Sequence, residues 1–198
     1  MVMTMEDGCE RHPLQPFLPQ HARLLMLGSF PPPRKRWSMD FYYPNFNNDM
    51  WRVVGHLFFG DRNRFVDLKN KRFCHNDIET FLRDKGIALF DAATVVKRLQ
   101  GNASDKFLEI VEPTDIRKLL SQLPECKAIV STGEKSVQTL CENLGIATAP
   151  KVGTYTEFSV DNRSLCLYRM PSTSRAYPLA LEKKAAFYQQ MFSDLELL

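Results

Sequence analysis

Four short apolar runs constrain this chain more than any other feature: "LLMLGSF" at 24–30, "IALFDA" at 87–92, "AIVST" at 128–132 and "SLCLYRMP" at 164–171. The first three are continuous and closed by small or polar residues, the pattern of strands covered on both faces. The fourth alternates more. Helical patterns lie between and after them. "NDIETFLRDK" (76–85) offers Asn76 or Asp77 as N-cap, and "EPTDIRKLLSQL" (112–123) carries Ile116, Leu119, Leu120 and Leu123 on one stripe behind Asp115. "GEKSVQTLCENLG" (133–145) closes on a glycine, and "PLALEKKAAFYQQMF" (178–192) places Leu181, Ala185, Tyr188 and Phe192 on one face. Alternating strands and helices predict an α/β three-layer sandwich, with a central, mainly parallel four-stranded sheet flanked by helices. In such sheets ligands bind beyond the carboxyl ends of the strands. Functional residues are therefore expected just after Phe30, Phe90, Ser131 and Arg169.

The 198 residues suit a single domain spanning 1–198, with residues 1–11 as a flexible tail. The amino-terminal stretch has acidic residues and no apolar h-region, so no secretory signal is read there and a cytoplasmic location is expected. No apolar run approaches the roughly 20 residues of a membrane span. The five cysteines are scattered, without a C-x-x-C pair or a close Cys/His chelate, which predicts free thiols and no metal site. The net charge of +3 does not by itself imply nucleic acid, although Arg34, Lys35 and Arg36 form a local basic cluster.

Chemistry-bearing stretches sit where the strands end. "GSFPPP" (28–33) is a rigid turn, either an edge loop or a pocket floor. "FYYPNFNNDMW" (41–51) mixes aromatic rings with asparagine amides; it suits a flat heterocycle or a core-facing aromatic cluster. Asp91 closes a buried run, where it either caps a following helix or accepts a ligand N–H. "PSTSRAY" (171–177) is a hydroxyl-rich turn suited to phosphate, or an N-cap for the final helix.

Taken in order, "LMLGSFP", "YYPNFNNDMW", "GIALFDAATVVKRLQGNASD" and "MPSTSRAY" resemble motifs of the uracil-DNA glycosylase superfamily, closest to its hypoxanthine-DNA glycosylase branch. The resemblance runs from about residue 12 to about residue 192. It implies a monofunctional DNA glycosylase of base-excision repair, which hydrolyses the N-glycosidic bond of a flipped hypoxanthine or uracil without metal or cofactor. Its partner would be DNA carrying a damaged or deaminated base, bound by a monomer. Carried onto this chain, the resemblance assigns catalysis to Asn48. It assigns the base pocket to Gly28, Ser29, Phe30, Tyr43, Asp91 and Thr132. DNA contacts fall to Arg34, Lys35, Arg36, Ser172, Thr173, Ser174, Arg175 and Tyr177. Thr132-Gly133 stands where the branch has Asn-Gly, and Arg175-Ala176-Tyr177 where Pro-Ala-Asn is usual. Two other functions are consistent with the same crevice: a non-catalytic nucleic-acid binder, and an enzyme acting on a free nucleoside or nucleotide.

Overall fold

A computed structural model describes residues 8–99 and 105–198. Strands β1 (Cys9–Arg11), β2 (Leu24–Gly28), β3 (Val66–Asp67), β4 (Arg72–Phe73), β5 (Ile87–Asp91), β6 (Ala93–Arg98), β7 (Leu108–Pro113), β8 (Ala128–Thr132), β9 (Thr154–Val160) and β10 (Arg163–Met170) alternate with five helices. The helices are α1 (Met50–Phe59), α2 (His75–Lys85), α3 (Ile116–Ser121), α4 (Glu134–Leu144) and α5 (Leu181–Asp194).

The central sheet has the order β5-β2-β8-β10-β9. Its first four strands are the four apolar runs, and they are parallel. β2, β5 and β8 are buried along their whole length, as continuous apolar sequence requires. The sheet differs from the four-stranded expectation by β9, which pairs antiparallel with β10 and makes the sheet mixed. β9 is the outer strand of that edge, and four of its seven residues are exposed, so its sequence lacks the apolar run that marks the others.

A second, antiparallel sheet joins β1, β6 and β7. It corrects two expectations. Residues 9–11, read as tail, form β1 against Val95–Lys97, with Cys9 buried; residues 1–7 lie outside the described residues. Glu112 and Pro113, read as a helix start, end β7, and α3 begins only after Asp115, whose carboxylate accepts the Lys118 N–H at 3.0 Å. α2 likewise begins at His75 without a side-chain cap, so neither Asn76 nor Asp77 serves as its N-cap. α4 does close on a left-handed glycine, Gly145 (φ 68°).

The apolar stripes of α3 and α5 enter the main core with the strands. α1 packs against α5, and α5 reaches β10. Trp51 on α1 is buried and donates its indole N–H to the Tyr42 carbonyl at 3.0 Å, which ties the aromatic segment to this layer. Among the described residues, no helix is long and apolar enough to cross a membrane. Cys74, Cys126, Cys141 and Cys166 are free thiols, and Cys9, Cys126 and Cys141 are buried.

Candidate functional site

A cleft of about 610 Å³ opens at the carboxyl ends of β2, β5, β8 and β10, where the strand-end rule places it. Of the sequence-predicted residues, Gly28, Ser29, Phe30, Tyr43, Asn48, Asp91, Thr132, Arg36, Ser172, Thr173, Ser174 and Tyr177 line it. Arg34, Lys35 and Arg175 do not.

The floor is set by strand register. Gly28 and Asp91 are cross-strand neighbours on β2 and β5. A Cβ on Gly28 would stand 2.4 Å from Asp91 Oδ1, so the glycine leaves the room that the carboxylate occupies. No helix follows Asp91; the chain turns into β6, and the helix-cap alternative is excluded. The other oxygen, Oδ2, instead meets His12 Nε2 at 2.8 Å, with both side chains nearly buried. His12 does not line the cleft but bonds the carboxylate that does, and sequence reasoning missed it. A lone histidine beside a proline carries no periodic signal, and its role appears only when the amino-terminal segment runs back along β5 through the Phe17–Leu89 bridge.

The aromatic segment does both things its composition allowed. Phe41 and Tyr42 are core, and Phe46 packs on Phe73 with ring centroids 5.5 Å apart. Tyr43, in the left-handed region (φ 51°), turns to the cleft and shares a 2.9 Å hydrogen bond with Thr132 Oγ1. Burial is the main cause that pushes the Tyr42 and Tyr43 hydroxyls well above the ordinary tyrosine range. Both stay neutral at physiological pH.

Asn48 begins the wall. Its Oδ1 accepts the Met50 N–H at 2.8 Å, at the start of α1. The oxygen keeps a second lone pair and the N–H₂ group its donors, so the amide can donate to a ligand or accept from one. This geometry suits a bond from the N–H₂ group to an electron-rich base atom, or a water held by Oδ1.

The 171–178 loop forms the opposite wall. Ser172 Oγ accepts the Ser174 N–H and Ser174 Oγ accepts the Ala176 N–H, both at 3.2 Å, so two hydroxyls shape the loop itself. The Thr173 carbonyl accepts the Asp49 N–H at 2.9 Å. The loop does not cap the final helix, whose N-cap position is Ala180. Lys184, fully buried on α5, donates to Asp49 Oδ2 at 3.0 Å and to the Ser174 carbonyl at 2.8 Å. It was legible in principle, since position 184 falls on the stripe of Leu181, Ala185 and Tyr188.

At the rim, Arg34, Lys35 and Arg36 form one exposed 3-10 turn after Pro33. Arg34 pairs with Asp40 at 2.7 Å and lies 4.2 Å over the Trp37 ring, whereas Arg36 reaches the cleft. Arg175 donates its Nε–H to Asp49 Oδ1 at 3.2 Å and stays half-exposed. Glu134, at the start of α4, pairs with Arg169, and Lys135 beside it also lines the cleft. Gly101–Ser104, the "GNAS" of the second-strand motif, lie outside the described residues.

No family model matches the sequence, and no curated protein matches it. Among solved structures, the chain is similar to the solution NMR structure of a "putative Uracil DNA glycosylase" from Methanosarcina acetivorans, at 22% identity. The match covers 92% of this chain and 96% of that one with a TM-score of 0.60, so the two chains share one fold over almost their whole lengths.

Proposed function

We propose that this protein is a monofunctional DNA glycosylase that releases a deaminated base, hypoxanthine or uracil, from a nucleotide flipped into the cleft. The observation that carries the reading is the cleft floor: Asp91 Oδ1 lies over Gly28 with no hydrogen-bond partner among the described residues, and Asp91 lines the cleft. A carboxylate accepts and cannot donate, so it matches the ring N–H that hypoxanthine and uracil have and that adenine and cytosine lack at the same position. A cleft of about 610 Å³ is ample for one base with its sugar.

The division of labour follows from the geometry. Flipping costs a few kcal/mol of unstacking, least for a base that is already mispaired. Asp91 reads the ring N–H. The Asn48 N–H₂ donates to the base as the glycosidic bond breaks and its electron pair moves onto the ring, and such a donor lowers the barrier because it is already in place. Water then supplies hydroxyl to the sugar carbon, and its remaining proton goes to the departing base. Arg36 at the rim and the backbone N–H groups of Ser172 and Thr173 are the groups that would contact phosphate. The fold shared with the Methanosarcina acetivorans structure supports the same reading.

A second reading, catalysis on a free nucleoside or nucleotide, is favoured by the Arg34–Asp40 pair, which reduces the free positive charge at the rim. One experiment separates the two. Duplex and single-stranded oligonucleotides carrying one uracil, hypoxanthine, xanthine or mismatched thymine are incubated with the protein and cleaved with alkali. Strand breaks at the lesion support the glycosylase; intact strands for all four bases refute it.

A further inference from the structure

His12 is fixed through its backbone, its ring and both ring nitrogens. The Thr94 carbonyl accepts the His12 N–H at 2.8 Å, and the imidazole lies against Phe30 and Phe90 with ring centroids 5.2 and 4.6 Å away. Its Nδ1 stands 3.1 Å from the Leu14 nitrogen and 3.0 Å from the Leu14 oxygen. One residue therefore serves Nδ1 in either protonation state: the Leu14 N–H donates to a bare Nδ1, and a protonated Nδ1 donates to the Leu14 carbonyl. In both cases the proton on Nε2 is directed at Asp91 Oδ2. The carboxylate is thus held by one oxygen, while the other lies over Gly28.

We propose that His12 is a positioning residue for ligand selectivity: by binding Oδ2 it fixes Asp91 Oδ1 as a single oriented acceptor on the cleft floor, so that the site selects heterocycles with a ring N–H. The proposal rests on the glycosylase reading for the choice of a nucleobase as ligand. A carboxylate free to rotate would offer either oxygen in several directions and would discriminate poorly. One locked oxygen rewards a ring N–H in one place and opposes a ring nitrogen whose lone pair points at it.

The test uses free bases and the full chain, so it does not depend on base release. Hypoxanthine and 1-methylhypoxanthine are titrated into the protein by calorimetry, with uracil and 3-methyluracil as a second pair. The wild type is expected to prefer each N–H base over its N-methyl partner by about tenfold or more, the scale of a hydrogen bond to a charged group. In His12→Ala the affinity for the N–H base falls and that for the methylated base stays, so the ratio collapses toward one. His12→Gln, whose amide N–H can reach Oδ2, restores most of it. A general structural role for His12 would weaken both bases together. A folded His12→Ala that keeps the wild-type ratio overturns the proposal, as does a wild type that binds neither base or prefers neither. Should the alanine variant not fold, Asp91→Asn decides: its ratio must collapse, and an unchanged ratio overturns the proposal. A collapsed ratio without strand breaks in the oligonucleotide assay would refute the glycosylase and leave the selectivity device standing; strand breaks with an unchanged ratio would do the reverse.

Discussion

Lys184 and Asp49 form an ion pair within the protein: the ammonium stands 3.0 Å from Oδ2, the lysine side chain has no exposed surface, and that of Asp49 is 9% exposed. Asp49 directly follows Asn48, and the same ammonium holds the Ser174 carbonyl. One buried cation therefore ties α5 to both walls of the cleft.

Removing the cation while keeping its bulk should be costly. Lys184→Met leaves the Asp49 carboxylate with the half-exposed Arg175 as its ion-pair partner and Arg52 nearby, and a broken buried pair typically costs about 3 kcal/mol or more. The double variant Lys184→Met with Asp49→Asn should recover part of that loss, because a neutral amide is cheaper to bury alone. Urea unfolding of the wild type, both single variants and the double closes the cycle; additive losses would mean that the pair is not coupled.

Asn48 combines two roles that two substitutions can separate. Asn48→Ala removes the acceptor for the Met50 N–H and should cost about 1 kcal/mol of stability. Asn48→Asp keeps that acceptor and places negative charge at a helix start, so stability should hold. Both lose the donor to the departing base, and base release should fall by about 100-fold or more in each. Retained activity in Asn48→Asp would exclude the amide as the catalytic donor.

The sequence made the parallel strands legible because β2, β5 and β8 are buried on both faces, and continuous apolar runs are the direct consequence. Knowing where those strands end pointed to Asp91 and Thr132, and the resemblance added Gly28. β9 was not legible, since an edge strand with exposed Tyr155 needs no apolar pattern. His12 was not either: its importance depends on a contact 79 residues away, across a sheet edge that only the folded chain defines. Arg34 and Arg175 show the converse. Their charges were visible, but the carboxylates that engage them, Asp40 and Asp49, were not assigned to them by any spacing rule.

Gly28→Ala tests the floor from the side opposite His12. The new Cβ would lie 2.4 Å from Asp91 Oδ1, too close for any real contact, and the Gly28 backbone itself is not in the left-handed region. The carboxylate must move, while the strand need not. Base release should fall by about tenfold or more, the worth of one charged hydrogen bond. A matching loss in thermal stability, with the catalytic rate intact, would show that the floor is structural only.

The Cys126 thiol gives the fold an alkaline limit. Burial pushes it up to about 11, from the usual thiol value of 9.0, and its S–H donates to the Ala128 carbonyl at 3.3 Å. A group whose folded value is raised contributes stability that is fully present below its unfolded value. That contribution is lost as pH climbs through the folded one. The window is therefore pH 9 to 11, and the two-unit rise corresponds to about 2–3 kcal/mol at most. The buried tyrosines add to the same slope only above their own ordinary value near 10. Cys126→Ala should lower stability at pH 7.5 through the small cavity it leaves, yet flatten the decline between pH 9 and 10, where the tyrosines have barely begun to contribute. Urea midpoints across that interval read the difference directly. Parallel curves for wild type and variant would mean that the thiolate is tolerated in the core.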